Sequence, residues 1–471
     1  MTEELKKEKT ERMQQTLQAF GIKVKDVKLE HASSYELYKI YLLPGSQVRT
    51  IKNLEEDIAL RIGSSIRVVT MSDCVGIEVP KKDRTPDMLH DTIGDETWFM
   101  EQKSSLPVIL GDGLHGLLHV VDLATLPHLL VAGATKQGKT AFLRTLIMSL
   151  IWKKTPEDLK FVLLDPKGTE FKPLEILKNH YLATLPDGEF ESGGKEGCIT
   201  TSLTRSEQML SALCHELEKR YELLQKAGTR DIKSYNDKLE KGRITPADGH
   251  YHLPYIVCIC DEYADLVMGT NKIIRKSIKD SIIRLAQKGR AVGIHMVIST
   301  QRPSTDVITG LIKANFPARA AFRVASRVDS IVILDCPGAE KLSGNGDMLF
   351  SMGMDCERVQ VPFYPEDEMT DEIRKLAKDE KGDAPYYLPV GEEMDNKIEQ
   401  NSIKEQDDPL YDAAKSLVIM TQSCSHTMLQ RKLGIGFVRA GRLVDLLIEK
   451  GVVVGKAGAY TVRKKSLESV D

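Results

Sequence analysis

No stretch of this sequence stays apolar for the ~18 residues that a membrane-spanning helix needs. The longest apolar stretch, Gly116 to Ala134, is broken by His119, Asp122 and His128. The N-terminal MTEELKKEKTERMQQ is charged and lacks the apolar core of a secretory signal. The chain therefore reads as soluble and cytoplasmic, or as the soluble portion of a longer, membrane-anchored protein. Cysteine is also sparse in pattern: eight residues are scattered, and no Cys-x-x-Cys spacing occurs. Cys258 and Cys260 sit inside the apolar run YIVCIC, which argues for packing in a buried strand over metal or redox chemistry. Such usage suits a reducing compartment. A global excess of positive charge is missing as well. With a net charge of −3, any polyanion must be met by a local basic surface. No internal repeat is found.

What remains is an ordinary globular composition, 41% hydrophobic and 28% charged, over 471 residues. That length is too great for one core and implies two to four domains. Residues 1–22 read as a polar helix or linker. Residues 23–105 read as a small α+β unit: KVKDVKLEH and YELYKIYLLPG alternate like a hairpin, LEEDIALRIG is helical, and IRVVTMSDCVGIEVP returns as two strands. Over residues 106–365, the apolar strands HLLVAGA, KFVLLDP, YIVCICDE and GIHMVIST alternate with helical segments, the pattern of a parallel α/β sheet. One helix is expected from Thr204 to Ala227, with Leu210, Leu213, Leu217, Tyr221 and Leu224 on its apolar face.

Residues 366–408 carry fifteen acidic against six basic side chains, a balance of −9, and read as a linker with at most one short helix. Residues 409–471 reverse that sign, with ten basic against five acidic side chains. Here three helices and a hairpin are expected: Leu410 to Thr421, a second started by Ser423 or Ser425, and a third after the Gly434–Gly436 turn. Ala440, Leu443, Val444, Leu447 and Ile448 bury the third, with Arg439 and Arg442 off that face. GVVVGKAGAYTVR forms the wing of a winged-helix domain, turning at Gly455 and Gly458. A small basic winged helix after an acidic tether is a DNA reader more often than a protein-docking module.

The segment LLVAGATKQGKTAFL carries the chemistry. Gly133 to Thr140 fit the phosphate-binding pattern of Gly, four free positions, Gly, Lys, Ser or Thr, between a strand and a helix. Gly133, Ala134, Thr135, Lys136, Gln137, Gly138, Lys139, Thr140 and Ala141 are thus the expected nucleotide-binding set. Lys139 reaches the β- and γ-phosphates of ATP, and the Thr140 hydroxyl ligates Mg²⁺. Lys136, where small residues are commoner, has no account at this level. Asp261, ending the strand YIVCIC, is expected to hold the Mg²⁺ shell, and Glu262 beside it to polarise the attacking water. That pair points to hydrolysis. Gln301, ending HMVIST, is placed to sense the γ-phosphate.

Several segments together resemble the motor domain of the FtsK/SpoIIIE double-stranded DNA translocases: HLLVAGATKQGKT, FVLLDPKG, LPYIVCICDEYADL, RLAQKGRAVGIHMVISTQRPSTDVITGLIKANFPARAAFRV and ILDCPGAEKLSGNGDMLF. SHTMLQRKLGIGFVRAGRLVDLLIEKGVV resembles that family's winged-helix γ domain. The resemblance implies an α/β, RecA-like P-loop NTPase core with a small N-terminal α+β domain and a C-terminal winged helix. It implies a homo-hexameric ring that pumps double-stranded DNA in chromosome segregation and cell division. It also implies that the winged helix orients the motor and that a site-specific recombinase meets the C-terminal domain. The membrane-spanning helices of anchored members are not in this chain. By the same resemblance, Arg290 completes the neighbouring subunit's ATP site, and Arg302, Lys313 and Arg327 grip phosphates in the pore. Arg230 lies in a stretch resembling a DNA-facing loop. Arg439 matches a base-reading arginine.

Four positions depart from the family pattern. Ile331 stands where a basic residue is expected, Gly168 where a larger one is, Val438 for an asparagine and Asp445 for a glutamate. Loss of the amide at 438 alters the expected sequence preference. Two other classes stay open: a DNA pump of a mobile element, conjugation system or HerA-like resection machine, and a non-catalytic, ATP-binding DNA regulator. The intact set Lys139, Thr140, Asp261 and Glu262 argues against the regulator.

Overall fold

The computed structural model describes residues 3–81, 88–89, 99, 101–114, 117–186, 197–269, 271–353, 356–379, 385–389, 410–421, 423–433, 443–444, 447–448, 452–456 and 459–462. It divides into two compact units, the second formed by residues 187–195 and 391–471.

The first unit begins with the helix Glu3–Ala19, followed by β1 (Val24–His31), β2 (Tyr35–Leu42), the helices Val48–Asn53 and Glu55–Ile62, β3 (Arg67–Thr70) and β4 (Val75–Pro80). The strands form an antiparallel sheet in the order β1-β2-β4-β3. The hairpin and return strands therefore fall where alternation placed them. The first helix is not a detached linker. Its Met13 and Leu17 are buried in the same core as Val27, Ile40 and Ile77, because two apolar residues four apart share one helix face.

The larger sheet has nine strands: β5 (Pro107–Asp112), β6 (Leu118–Asp122), β7 (His128–Ala132), β8 (Leu159–Leu164), β10 (Tyr255–Cys260), β11 (Ile294–Thr300), β12 (Ala318–Phe322), β13 (Asp347–Ser351) and β14 (Cys356–Gln360), in the order β6-β5-β14-β13-β12-β7-β11-β10-β8. From β8 to β12 all neighbours are parallel. From β12 onward they are antiparallel, an extension that the four-strand parallel expectation did not contain. The apolar strands bury both faces, as parallel strands do between helix layers. Leu130, Cys258 and Ile298 enter one core, and Val131, Val257 and Val297 the other. Cys258 and Cys260 are fully buried packing residues.

The helix Leu203–Ala227 covers one face with Leu210, Leu213, Leu217 and Leu224. Ser202 caps it by accepting from the Arg205 amide at 3.2 Å, a contact worth about 1 kcal/mol. Tyr221 departs from expectation. It lies on the exposed flank, where its hydroxyl donates to the Lys288 carbonyl.

The acidic stretch after Pro365 is only partly a tether. Residues Glu366–Asp379 form a helix whose Met369 and Ile373 are buried in the core of the large sheet. β15 (Tyr386–Tyr387) pairs with β9 (Ala183–Thr184), and Leu388 is buried. Charge counting hid an i,i+4 apolar pair, so the first unit runs to residue 390.

The second unit holds the helices Tyr411–Thr421 and His426–Leu433 and the hairpin β16 (Val453–Lys456) and β17 (Ala459–Val462). Ser425 accepts from the Met428 amide and so starts the second helix. Leu443, Val444 and Leu447 are buried with Ala414, Val418 and Leu429. Ala440, Arg439, Arg442, Val438 and Asp445 lie outside the described residues. Among the described residues, no helix is long and apolar enough to cross a membrane.

Candidate functional site

The phosphate loop leaves the end of β7 between β11 and β12 and enters the helix Lys139–Lys153. Both its ends are tied to these neighbours. The Gly133 amide donates to the Thr300 carbonyl at 3.3 Å, and the Ala134 amide to Arg323 at 2.9 Å. A Cβ on Gly133 would fall 2.5 Å from that of Phe322, and one on Gly138 2.6 Å from the backbone of Gly346. Gly138 also has φ 115°, so no other residue fits there without rebuilding the loop. Lys136 now has an account. It is exposed at the loop's apex in the left-handed region, at φ 61°. Gly138 is the helix N-cap and supplies no side-chain acceptor, so the first helical amides remain available to phosphate oxygens.

Lys139 is buried and donates to Asp261 twice, to its carbonyl at 2.7 Å and to its carboxylate at 2.9 Å. Asp261 is thus engaged with the lysine of the loop, and parallel pairing of β10 with β8 and β11 fixes it at that edge of the sheet. Glu262, also buried, accepts from the Thr300 hydroxyl at 2.7 Å and from the Gln301 amide at 3.1 Å. The Thr135 hydroxyl donates to the Gln301 side-chain oxygen at 2.8 Å. Gln301 therefore bridges the phosphate loop and Glu262, a double contact that its place at a strand end could not reveal.

Two further residues belong here. Lys167, in the DPKG segment, places its ammonium 3.5 Å from the Glu262 carboxylate. Glu170 lies beside Thr140, whose hydroxyl draws its carboxyl down. Burial, then the nearby Asp261 carboxylate, push Glu170 above the ordinary carboxylate range, against the pull of Arg144 and Lys139. Asp165 explains how Glu170 arrives. Its buried carboxylate accepts from the amides of Gly168, Glu170 and Phe171 at 2.9, 2.8 and 3.1 Å and shapes the turn. Glu170 lies three residues beyond Lys167, outside any spacing rule applied to the sequence.

Ligand chemistry fits Mg²⁺ in outline. The Thr140 hydroxyl, Asp261 and Glu170 offer hard oxygen donors beside the loop. Among the described residues there is no group of three or more His, Cys, Asp or Glu able to hold a metal on its own. Mg²⁺ suits such a site, since it takes one or two carboxylates together with substrate phosphates.

The other candidates lie apart. Arg290 is exposed in the 3-10 turn Gly289–Val292, ahead of β11, at the end of the sheet opposite the loop. Arg302 and Arg327 are exposed, and so is Arg230. Lys313 is held by Asp335 at 2.5 Å, and Asp335 also takes Arg319. Ile331, in the helix Arg327–Leu334, is exposed.

Comparison with known proteins agrees across the chain. The FtsK/SpoIIIE family matches residues 89–305, the FtsK alpha domain residues 1–81 and the FtsK gamma domain residues 405–464. Proteins named DNA translocase FtsK are similar along nearly all of it. That of Chlorobaculum tepidum is 36% identical over 465 residues, covering 96% of this chain and 55% of that protein. That of Chlamydia muridarum is 38% identical over 471 residues, covering 98% of this chain and 56% of that protein. The chain thus spans about half the length of the curated relatives it matches.

Two solved structures share the fold. The conjugation coupling protein TcpA of pCW3, in monomer form with ATPγS, aligns with TM-score 0.53 at 23% identity, over 78% of this chain and 99% of that one. The cytoplasmic domain of the type VII secretion ATPase EccC from Thermomonospora curvata aligns with TM-score 0.52 at 21% identity, over 65% of this chain and 36% of that one. The core is therefore a RecA-like P-loop ATPase fold.

Proposed function

The chain belongs to the FtsK/SpoIIIE family, and from that premise we propose that it is an ATP-hydrolysing motor that moves double-stranded DNA. The observation that carries this reading is the joining of Lys139, Asp261, Glu262 and Gln301 at the C-terminal edge of one parallel sheet. Loop amides and Lys139 bind the phosphates. Thr140 and Asp261, with Glu170 beside them, would hold Mg²⁺, which would supply positive charge against the β- and γ-phosphates. Glu262 accepts the proton of the attacking water, while Thr300 and the Gln301 amide fix the carboxylate's orientation. Gln301 touches both the loop and Glu262, so a γ-phosphate that disturbs Thr135 is reported to Arg302, the next residue in the chain.

The finer reading is a homo-hexamer. Arg290, exposed and far from its own loop, enters the site of the adjacent subunit, which makes turnover conditional on assembly. Arg302, Lys313 and Arg327 hold DNA phosphates without reading bases. Lys313 does so by leaving Asp335. Arg439 and Arg442 of the winged helix contact base edges, and this domain orients the motor and meets a site-specific recombinase. The motor works in the cytoplasm, in chromosome partition at cell division.

The test is steady-state ATP hydrolysis with no DNA, single strands or long linear duplex, beside Lys139→Ala. Strong stimulation by duplex alone, lost in Lys139→Ala, is expected. Equal activity in all three conditions overturns the motor.

A further inference from the structure

Six of the eight cysteines, Cys74, Cys198, Cys214, Cys258, Cys260 and Cys424, are buried. The remaining two, Cys336 and Cys356, are half-exposed, and they face each other with their sulfurs 3.0 Å apart. They are twenty positions apart in sequence, and different elements bring them together. Cys336 follows the helix Arg327–Leu334 through Asp335, which turns the chain in the left-handed region at φ 61°. The Ser330 hydroxyl fixes its backbone, donating to the Cys336 carbonyl at 2.8 Å while accepting from the Ala339 amide at 3.0 Å. Cys356 opens β14 opposite Ser351 of β13. Both side chains pack against the same apolar core. A disulfide needs sulfurs at about 2.05 Å, so this pair is within about 1 Å of bonding.

We propose that Cys336 and Cys356 are a modification site, a dithiol that closes reversibly to a disulfide in the presence of a small-molecule disulfide oxidant. The proposal is independent of the motor reading. The hydrogen bond to Cys356, and then burial, hold the Cys336 thiol above the usual thiol range. Once one thiol of the pair has given its proton to solvent, its thiolate attacks one sulfur of the oxidant and releases one reduced thiol. The other gives up its proton in turn and displaces the second thiol from the mixed disulfide. Two protein thiols are oxidised, and one oxidant disulfide is reduced to two thiols.

The closed ring would hold the segment from Ala339 to β13. Within that segment the Gly346 amide donates to the Gln137 carbonyl of the phosphate loop at 2.9 Å. Oxidation therefore staples the support of the loop without touching a residue of the ATP site.

The test treats the full chain with oxidised glutathione and then alkylates the remaining thiols. Intact mass and non-reducing peptide mapping follow. Apart from the alkyl groups added, the expected result is loss of about two mass units, a single cross-linked peptide joining Cys336 to Cys356, and reversal by dithiothreitol. Cys336→Ser and Cys356→Ser should each carry one glutathione on the remaining partner. The oxidised wild-type chain should melt roughly 5 °C or more above the reduced one. Glutathione on both cysteines of the wild-type chain with no cross-link, or alkylation of both after oxidant, overturns the proposal. That mapping needs no variant to fold.

Discussion

The ammonium of Lys139 lies 2.9 Å from the carboxylate of Asp261, both side chains buried at the end of the parallel sheet. Removing one partner leaves the other as an unpaired buried charge, which costs about 3–5 kcal/mol where it has been measured. Lys139→Ala should therefore lower the thermal midpoint as well as abolish ATP turnover. Adding Asp261→Ala should restore part of the midpoint and none of the turnover, a separation that a double-mutant cycle reads directly.

Glu262→Gln keeps the size and one oxygen to accept from Thr300 but removes the proton acceptor. ATP turnover should fall about 10²-fold or more, with nucleotide affinity within a few-fold of wild type. Equilibrium binding beside steady-state hydrolysis separates the two. Unchanged turnover would remove Glu262 from the role of base.

Glu170→Gln tests the acid beside Thr140. If it supports the metal, the Mg²⁺ concentration for half-maximal turnover should rise several-fold while folding is preserved. A Mg²⁺ titration that superimposes on wild type assigns Glu170 to the turn alone.

Arg290→Ala should lose turnover and keep nucleotide binding. Mixed with Lys139→Ala, each inactive alone, it should regain activity, because the Lys139→Ala subunit still offers Arg290 to a neighbour whose own loop is intact. No recovery at any mixing ratio would argue against an arginine acting across subunits.

His128 and His295 sit on adjacent strands with ring centres 6.3 Å apart. Burial lowers them to about 3 and about 4, respectively. The Met296 amide donates to Nδ1 of His128, so that nitrogen carries no proton. Nδ1 of His295 faces the Pro127 carbonyl and therefore does. Both rings are neutral in the fold. Below the unfolded value of 6.5 the unfolded chain gains protons that the folded chain refuses, so stability is full above pH 6.5 and falls toward pH 4. Each ring contributes a slope of about 1.4 kcal/mol per pH unit there. His128→Asn retains an acceptor for Met296 and should remove about half of the histidine slope, read from urea midpoints between pH 6.5 and 4.5.

The phosphate loop was legible because its chemistry is written at fixed spacing, and Asp261 and Glu262 because an acidic pair ends an apolar strand. The N-terminal strands and the first C-terminal helix followed from period, and the second from its Ser425 start. What escaped is non-local. Gly346 meets Gln137 only once β13 is paired beside β12, and Glu170 reaches Thr140 only once Asp165 folds its turn. Tyr221 satisfies helical spacing yet sits at the edge of the buried arc, where a hydroxyl can find the Lys288 carbonyl. In the acidic stretch, composition outweighed the pair Met369 and Ile373, which a periodicity count would have caught.

The Gly346 contact has a mechanical side. Buried Arg358 of β14 takes the Glu78 carboxylate of β4 at 2.9 Å and that of Asp347 at 2.7 Å, and Asp347 is the residue next to Gly346. The N-terminal sheet and the phosphate loop are thus connected in series by three hydrogen bonds and one peptide link. A load placed on the small sheet arrives at the loop with little slack to absorb it, as in a taut cable whose far end is the nucleotide.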